Sequence, residues 1–413
     1  MTSQPTTAAP TQVMQGVRIL EVAEHTFVPA ASALLADYGA EVIKIEHVER
    51  GDAMRGLASS GLALFGGGVH ALLEHSNRGK HSLGLDLTSP DGLDVLYRLA
   101  ATCDVFLTNK LPSVRTKLKV DIDDIRAHNP NIIYVRGTGQ GERGPDADQG
   151  SYDSLGYWSR GGVALGMTPP SAEFVTNPPA AFGDSIGAMT IAGGIMGALF
   201  HRERTGEATT VDVSLLATGL WSMGASMALS MQLGMPWRSP EPGVPVGNPL
   251  TLSYRTKDDH FVSFACLQPG KYWPAACELI GRPELATDER FADAAAITAN
   301  SADATDIMRA AIAERTRDEW APRLAQFSGQ WAWVQDTLEA AEDPQTLANG
   351  MVQELEAANG TPFKLVAGPI QYGGAPAQPQ RAPDFNEHGD AILESLGYDW
   401  DAIVDLKVRG VVA

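Results

Sequence analysis

The stretch GVRILEVAEHTFVPAASALLADYGAEVIKIEH, residues 16–47, decides the fold of this chain. Its first seven residues are an apolar run suited to a buried strand, and residues 41–47 at its end predict a second strand. Between the two, Pro29 opens a segment of helical composition that Gly39 closes. A helix that joins two buried strands predicts a right-handed crossover between parallel neighbours.

The same alternation continues to about residue 140. Ser89 followed by Pro90 suits the N-cap and the first turn of a further helix. Three further apolar runs predict strands: HSLGLDL (81–87), DVFLTN (104–109) and NIIYVRG (131–137). Five strands separated by helices predict an α/β protein with a doubly wound parallel sheet that is covered on both faces.

The second half of the chain follows a different pattern. Residues 236–249 contain five prolines and predict an extended linker after a large domain at 1–235. Residues 250–330 begin with a β-hairpin pattern around Lys257–Asp259 and continue with helical stretches, which predicts a smaller α+β domain. Residues 331–413 contain a Gly- and Pro-rich stretch and a last helix.

Composition narrows the function classes. A chain of 413 residues with 44% hydrophobic residues and a formal net charge of −19 is typical of a globular protein that binds neither nucleic acid nor an anionic membrane. The three cysteines lie far apart, which argues against disulfides and zinc and favours a reducing cytosol. Residues 1–15 lack the pattern of a signal peptide and predict a floppy lead-in to a cytoplasmic protein.

Residues 213–237 carry no charge and are long enough to span a bilayer. Serine or threonine recurs every four residues through this segment, as in helices that pack closely against another element. Only residues 185–200 offer a shorter apolar companion. We therefore predict a buried interior helix rather than a membrane span.

Two basic clusters suit an anionic ligand. Residues 77–81, NRGKH, lie just before a predicted strand, and residues 105–120 contain four basic residues and no acid. Both lie near strand ends, where open α/β sheets bind ligands, and phosphates are recognised by such clusters. Solvated loops with chance charge are the alternative. The first strand is followed by residues 23–27, AEHTF, without the glycine turn of a dinucleotide site, which argues against a nicotinamide dehydrogenase.

Asp184 lies in AFGDSIG, residues 181–187, just before an apolar helix rich in glycine and alanine. A simple helix N-cap is one interpretation of this position. The other uses the same geometry, because a helix N-terminus stabilises an ionised carboxylate that can act as a nucleophile.

The chain resembles the family III CoA-transferases, which include formyl-CoA:oxalate and carnitine CoA-transferases. The resemblance runs over nearly the whole length. It rests on GVRILEV with Pro29 and on these further motifs: DYGAEVIKIE (37–46), RGKHSLGLDL (78–87), DVFLTNKLP (104–112), the Asp184 segment and HRERTGEATTVDVSLL (201–216).

The resemblance implies that Asp184 is a catalytic nucleophile on an acyl-CoA thioester. It implies a further active-site acid at Asp153, with Tyr152 beside it. It also implies CoA contacts that are carried over residue by residue: His25, Phe27, His47, Lys80, Asn109, Lys117 and Leu118. CoA is then a substrate, and no metal or redox cofactor is expected.

The resemblance further implies a Rossmann-like large domain built from both chain ends, with the smaller domain inserted and residues 331–413 returning to it. Two subunits are expected to interlock as a homodimer. Family members often cover the site with a glycine loop. Residues 268–272, QPGKY, match that loop but contain only one glycine. The sequence therefore does not decide whether this segment covers the site as a lid.

Two alternatives remain from the sequence. The α-methylacyl-CoA racemases of the same superfamily use a Gly-His-Asp motif, where this chain has Ser151-Tyr152-Asp153. A tyrosine with an ordinary pKa near ~10 is a poor proton shuttle at neutral pH, which favours the transferase. A non-catalytic CoA-binding protein is the second alternative. The acyl-CoA donor and the acceptor carboxylic acid are left open.

Overall fold

The structure is a computed structural model that describes residues 10–56, 68–245 and 247–413. The first nine residues of the predicted lead-in lie outside the described residues, as does Val246 of the predicted linker. The rest of the lead-in is ordered against the protein, because Met14 is buried and its N–H donates to the carbonyl of Tyr38 at 2.9 Å. The prediction of a floppy lead-in is therefore wrong at Met14.

The strands of the described residues are β1 Arg18–Val22, β2 Glu41–His47, β3 His81–Leu85, β4 Val105–Thr108, β5 Ile133–Thr138, β6 Thr210–Ser214, β7 Ser253–Arg255, β8 Phe261–Phe264, β9 Trp331–Val334, β10 Val352–Glu356 and β11 Pro362–Val366. A π-helical segment covers Ser154–Arg160.

The α-helices of the same residues are α1 Phe27–Asp37, α2 Ala53–Gly56, α3 Ala71–Asn77, α4 Pro90–Ala100, α5 Pro112–Leu118, α6 Ile122–Arg126, α7 Val163–Gly166, α8 Phe182–Thr205, α9 Leu215–Ser222, α10 Gly224–Leu233, α11 Pro269–Leu279, α12 Ala294–Ala299, α13 Ser301–Ile312, α14 Arg317–Leu324, α15 Thr337–Glu342, α16 Pro344–Ala348, α17 Gly389–Ser395 and α18 Trp400–Val408. Helix α4 begins at Pro90 as predicted, but the Ser89 hydroxyl makes no capping hydrogen bond.

Six parallel strands form the large sheet, in the order β3-β2-β1-β4-β5-β6. The five predicted strands are all present, so the mixed α/β class with a parallel sheet is confirmed. The chain reverses its direction of travel across the sheet between β1 and β4. The connections that follow these two strands therefore run in opposite directions and leave a crevice at the carboxyl ends of β1 and β4. Open α/β sheets bind ligands in crevices of this kind.

Both faces of the sheet are covered by helices. Alternate residues of a strand point to opposite faces and therefore pack into different cores. Ile19 packs into a core that includes Val28 of α1 and Ile191 of α8. Its neighbour Leu20 packs into a second core with Leu96 of α4 and Leu393 of α17. Strand β1 is therefore buried on two sides, which explains its nearly continuous apolar sequence.

The described chain divides into two compact units. Of the described residues, the first contains 10–56, 68–167, Val175–Trp237 and Pro344–Ala413, and the second contains Thr168–Phe174, 238–245 and 247–343. In the second unit β7 and β8 form the predicted antiparallel hairpin. Strand β9 pairs with β8, so this unit continues past the boundary at residue 330 that the sequence predicts. Gln268 precedes α11, and residues 269–272 form its first turn rather than a glycine loop.

The uncharged segment 213–237 does not form one helix. It contains the end of β6, then α9 and α10, and no residue of α10 is buried, so the predicted interior helix is wrong. Among the described residues, α8 alone has the length and apolar composition that a membrane crossing requires. Its buried side chains pack into the core between α1 and the large sheet.

Candidate active site

A cavity of about 360 Å³ lies at the carboxyl ends of β1, β4 and β5, where the sheet order reverses. It receives side chains from the loops that follow these strands and from the start of α8. The cavity is lined by Glu24, His25, Phe27, Asn109, Lys110, Leu111, Val114, Gly137, Thr138, Gly139, Gly150, Ser151, Tyr152, Asp184 and Leu215. Five of the ten residues expected at the site therefore share one cavity.

Asp184 is the third residue of α8, because the helix begins at Phe182 after Ala181 in a left-handed conformation with φ +55°. The helix is capped from another segment: Asp153 Oδ2 accepts the N–H of Gly183 at 3.0 Å. Within the described part of the chain, no hydrogen bond to the Asp184 carboxylate is found. The N-cap interpretation of Asp184 is therefore wrong, and its carboxylate is left facing the cavity.

Asp153 lies directly beneath this helix start. Its side chain is buried, and it stands immediately before the π-helical segment, an irregularity that is frequent at functional sites. A Cβ on Gly183 would approach Asp153 Oδ1 to 2.4 Å and Tyr157 Cγ to 2.3 Å. Glycine at 183 therefore permits the close approach through which Asp153 holds the first turn of α8.

Both carboxyl groups have raised pKa values, and burial is the first cause for each. Burial, with the negative charge of Asp153 as a second cause, raises the pKa of Asp184 to about 7. Burial also raises the pKa of Asp153, although the N–H groups of the α8 first turn act against it. Burial therefore acts against the ionised form of Asp184, which the N-terminus of α8 favours.

His25, Tyr152 and Phe27 form the wall beside Asp184. The rings of His25 and Tyr152 meet edge to face with centroids 5.4 Å apart, and the Tyr152 side chain is 61% exposed. His25 has φ +70°, a conformation that residues with a Cβ rarely adopt. Phe27 is buried, and a Cβ on Gly187 would approach its ring to 2.3 Å, so this ring fixes the distance between α1 and α8.

Two further cavities continue along the sheet edge. One of about 200 Å³ contains His47 and Leu118, and it shares Glu24, Lys110 and Val114 with the Asp184 cavity. The other, of about 550 Å³, contains Lys117 and also Leu118. Three of the expected CoA contacts therefore lie on a path that adjoins the Asp184 cavity without being part of it.

The structure does not bring Lys80 to this path. Its ammonium is fully buried, pairs with Glu21 at 2.8 Å and donates to the Pro29 carbonyl at 2.8 Å. Burial lowers the pKa of Lys80 to about 7, against the effect of Glu21. The neighbouring Arg78 forms a buried ion pair with Asp37. Arg78 and Lys80, the arginine and the lysine of the first basic cluster, are therefore internal, and the predicted role of this cluster in binding an anion is wrong.

Two residues of the second basic cluster form ion pairs within the protein, and the other two are exposed. Lys110 pairs with Glu24 at 2.5 Å, and Arg115 is buried and pairs with Glu142 at 2.7 Å. Lys117 and Lys119 are exposed beside the third cavity, and no ion pair within the described residues engages them. These two lysines are therefore the cations of the cluster that an anionic ligand can reach.

We expect substitutions at Lys80 and Lys117 to change different properties: the first should lower stability, and the second should raise the KM for an acyl-CoA. Lys80→Met should lower the free energy of unfolding by about 3–5 kcal/mol, because it removes a partner from buried Glu21. Its KM for an acyl-CoA should stay within about twofold. Lys117→Ala should raise that KM by about two- to fivefold and leave stability unchanged. Urea unfolding and initial rates measure both, and a raised KM in a Lys80→Met variant of normal stability would return Lys80 to the ligand.

Sequence reasoning missed a buried ionic network under the cavity. Lys44 Nζ lies 2.8 Å from Glu21 Oε1 and 2.7 Å from Asp52 Oδ2, and these three side chains are fully buried. Asp52 in turn accepts the N–H of His25 at 3.0 Å. The sequence does contain a sign of this network. Glu21 and Lys44 are charged residues inside apolar strands, and a buried charge requires a buried partner.

No group of three or more His, Cys, Asp or Glu side chains that could hold a metal ion occurs in residues 10–56, 68–245 and 247–413. Separately, the cavity contains the carboxylate of Asp184, whose pKa is raised to about 7 in a largely apolar site.

Comparison with known proteins gives a consistent result. The model of CoA-transferase family III matches residues 14–389. An (R)-2-hydroxy-4-methylpentanoate CoA-transferase of Clostridioides difficile is 28% identical, over 97% of this chain and 99% of that protein. A probable fatty acyl-CoA transferase of Mycobacterium tuberculosis is 34% identical, over 83% and 89%. The crystal structure of a CaiB/BaiF family protein from Brucella suis superposes with a TM-score of 0.81 and 27% identity, over 94% of this chain and all of that one.

Proposed function

This chain belongs to CoA-transferase family III, and on that premise we propose that it moves CoA from an acyl-CoA thioester to a free carboxylic acid, with Asp184 as the covalent nucleophile. The observation that carries the proposal is the Asp184 carboxylate, which lies in the cavity at the sheet's switch point and has a pKa raised to about 7. A carboxylate of higher pKa is a better nucleophile once it is ionised.

The proposed reaction has four balanced steps. The Asp184 carboxylate attacks the donor carbonyl and expels CoA thiolate, which leaves an acyl-aspartyl anhydride. The thiolate attacks the aspartyl carbonyl, releases the donor acid and forms an aspartyl-CoA thioester. The acceptor carboxylate attacks that thioester, and the second anhydride forms as CoA thiolate leaves. The thiolate then attacks the acceptor carbonyl, which yields the new acyl-CoA and restores the Asp184 carboxylate.

The surroundings of Asp184 suit these steps. Its carboxylate accepts no hydrogen bond within the described chain, so both oxygens are available to a ligand. Phe27 and Leu215 line the cavity and limit the water that could hydrolyse an anhydride or a thioester. Asp153 supports the chemistry from beneath, because it fixes the first turn of α8 and raises the pKa of Asp184. We assign Asp153 a positioning role.

We propose that the CoA chain runs along the sheet edge. Its thiol end would reach the Asp184 cavity past His25 and Asn109, and its middle would pass His47 and Leu118 in the adjoining cavity. Its phosphates would lie near Lys117 and Lys119, the exposed cations beside the third cavity. This course is supported by the residues that neighbouring cavities share. The first two cavities share Glu24, Lys110 and Val114, and the last two share Leu87, Thr88 and Leu118.

We also propose that the chain forms the interlocked homodimer expected of its family. Large apolar side chains lie exposed on α8 and on the α9–α10 segment, among them Phe200 (68%), Trp221 (85%) and Met231 (75%). Apolar surface of this extent marks an interaction site on a globular protein. A mass of twice 43.9 kDa by light scattering supports the dimer, and a monomer at micromolar concentration contradicts it.

Covalent labelling of Asp184 tests the proposed mechanism. The enzyme is incubated with acyl-CoA donors from a panel, trapped with hydroxylamine or borohydride, and mapped by mass spectrometry. We expect the modification on Asp184 only, in the peptide that spans the start of α8. Rapid product formation with no label at Asp184 would contradict the mechanism. Exchange of the α-proton for deuterium without any acceptor acid would instead support a racemase.

A further inference from the structure

The loop between β1 and α1 forms one wall of the Asp184 cavity, and three consecutive residues of it are held from outside. The carbonyl of Ala23 accepts from Lys44 Nζ at 2.8 Å. Glu24 exchanges two hydrogen bonds with the side-chain amide of Asn109, at 3.2 and 2.7 Å. The N–H of His25 donates to Asp52 Oδ1 at 3.0 Å. The position of this wall therefore depends on side chains from three other segments.

His25 is the residue of this loop that most needs support. Its φ of +70° lies in the left-handed region, which is unfavourable for a residue with a Cβ. A conformation of this kind persists where the surrounding structure imposes it, and it is concentrated at functional sites. The imposed conformation puts the His25 side chain in the cavity that contains Asp184, edge to face with Tyr152.

Asp52 supplies the contact at His25 and is itself fixed. Its Oδ1 also accepts the N–H of Met54 at 2.8 Å, and its Oδ2 lies 2.7 Å from Lys44 Nζ. The N–H of Asp52 donates to Glu46 Oε2 at 2.8 Å. The carboxylates of Glu46 and Asp52 and the ammonium of Lys44 are fully buried, so no water competes for these contacts.

We propose that Asp52 is a positioning residue for CoA transfer: held by Lys44, it keeps His25 in the left-handed conformation that shapes the thioester end of the cavity. A buried ion pair is a poor source of stability compared with apolar side chains of the same size. Its presence directly behind a strained residue of the cavity wall is explained by this role. The inference rests on the proposed function of the Asp184 cavity.

Asp52→Ala should lower kcat by about 10- to 100-fold, because a small displacement of a cavity wall costs up to that factor. KM for the acyl-CoA should change by less than about threefold. Asp52→Asn keeps an oxygen that can accept the His25 N–H, and its kcat should stay within about fivefold of the unsubstituted enzyme. This second variant also provides a folded protein if Asp52→Ala is unstable.

Asp37→Asn is the matched control, because it disrupts another buried ion pair, with Arg78, that lines no part of the Asp184 cavity. It should lower the thermal midpoint at least as much as Asp52→Asn and leave kcat within about twofold. A kcat loss in Asp52→Ala no larger than that of Asp37→Asn at equal destabilisation would overturn the proposal.

A double variant tests whether Asp52 acts through His25. In a His25→Ala background, Asp52→Ala should lower kcat by less than about threefold further, since the side chain it positions is gone. Full additivity of the two losses would contradict the inference.

Hydrogen exchange gives a readout that does not depend on turnover. The amide of His25 should exchange faster in Asp52→Ala and unchanged in Asp37→Asn. Unchanged exchange in both variants would overturn the positioning role even if CoA transfer is established. An enzyme without CoA transfer on any donor and acceptor pair would overturn the proposed function, whatever the exchange result.

Discussion

Replacement of Asp184 by asparagine is expected to abolish CoA transfer, with kcat lower by about 10³-fold or more, the scale at which covalent enzymes lose activity without their nucleophile. Asparagine has nearly the same shape as aspartate, so the first turn of α8 and its contact with Asp153 should persist. Its amide oxygen cannot form the anhydride. Initial rates with a competent donor and acceptor pair measure the loss, and the trapped adduct should disappear with it.

The same substitution should stabilise the fold, which separates it from general damage. The folded-state pKa of Asp184 is raised from 3.8 to about 7, so at pH 8 the protein carries a desolvated charge that the unfolded chain carries at less cost. Removing the charge should raise the free energy of unfolding at pH 8 by on the order of 1–4 kcal/mol. The gain should vanish near pH 4, where the carboxyl is protonated in the folded state.

Asp123→Asn is the control for this prediction. Asp123 also lies in the first turn of a helix, α6, but it is exposed and lines none of the three cavities. Its substitution should leave both kcat and stability unchanged. If Asp184→Asn retains turnover within about tenfold and Asp123→Asn does the same, another nucleophile must carry the reaction.

Most of the large sheet can be predicted from sequence because five of its six strands, β1 to β5, are largely buried. Such strands are written as apolar runs, and five of them were recognised from those runs alone. Strand β6 lies at the sheet edge, is only half-buried and contains Asp212, which pairs with Arg136 at 2.5 Å. Its apolar pattern is therefore weak, and the sequence analysis includes these residues only within the family motif at 201–216.

Residues 213–237 show where composition misleads. Their lack of charge, together with a serine or threonine every four residues, predicts an interior helix, yet Trp221 and Met231 are largely exposed on α9 and α10. Sequence hydrophobicity reports that a surface avoids water, but it does not report whether the chain itself or a second protein covers that surface. For the same reason, the exposed segment supports the proposed homodimer.

The sequence predicts that Asp184 lies at the candidate site, but it misplaces one of the two lysines expected there. Lys80 and Lys117 both lie beside strand ends, and charge alone did not distinguish the buried lysine from the exposed one. Glu21 distinguishes the two lysines, because an acid inside the apolar run of β1 requires a buried cation nearby, and Lys80 is its partner. Reading internal acids together with nearby lysines would have assigned Lys80 to the core.

The pH dependence of kcat/KM is the second large effect that we expect. The nucleophile must be ionised, and its pKa in the free enzyme is about 7, so kcat/KM should fall tenfold per pH unit below that value. Between pH 8 and pH 5 the ionised fraction of Asp184 falls by about 100-fold, and kcat/KM should fall with it. An unperturbed aspartate would instead give a flat profile down to about pH 5.

Asp153→Asn should move this profile in a defined direction. The substitution removes the negative charge that is the second cause of the raised pKa, but it keeps an oxygen that can accept the Gly183 N–H. The midpoint should therefore shift toward acid while staying above the ordinary aspartate range, because burial, the first cause, remains. At pH 5 the variant should outperform the unsubstituted enzyme, although at pH 8 it should not. A midpoint that does not move would show that Asp153 acts on α8 by contact alone, and a profile without any acid limb would assign the ionisation, and with it the nucleophile, to a different group.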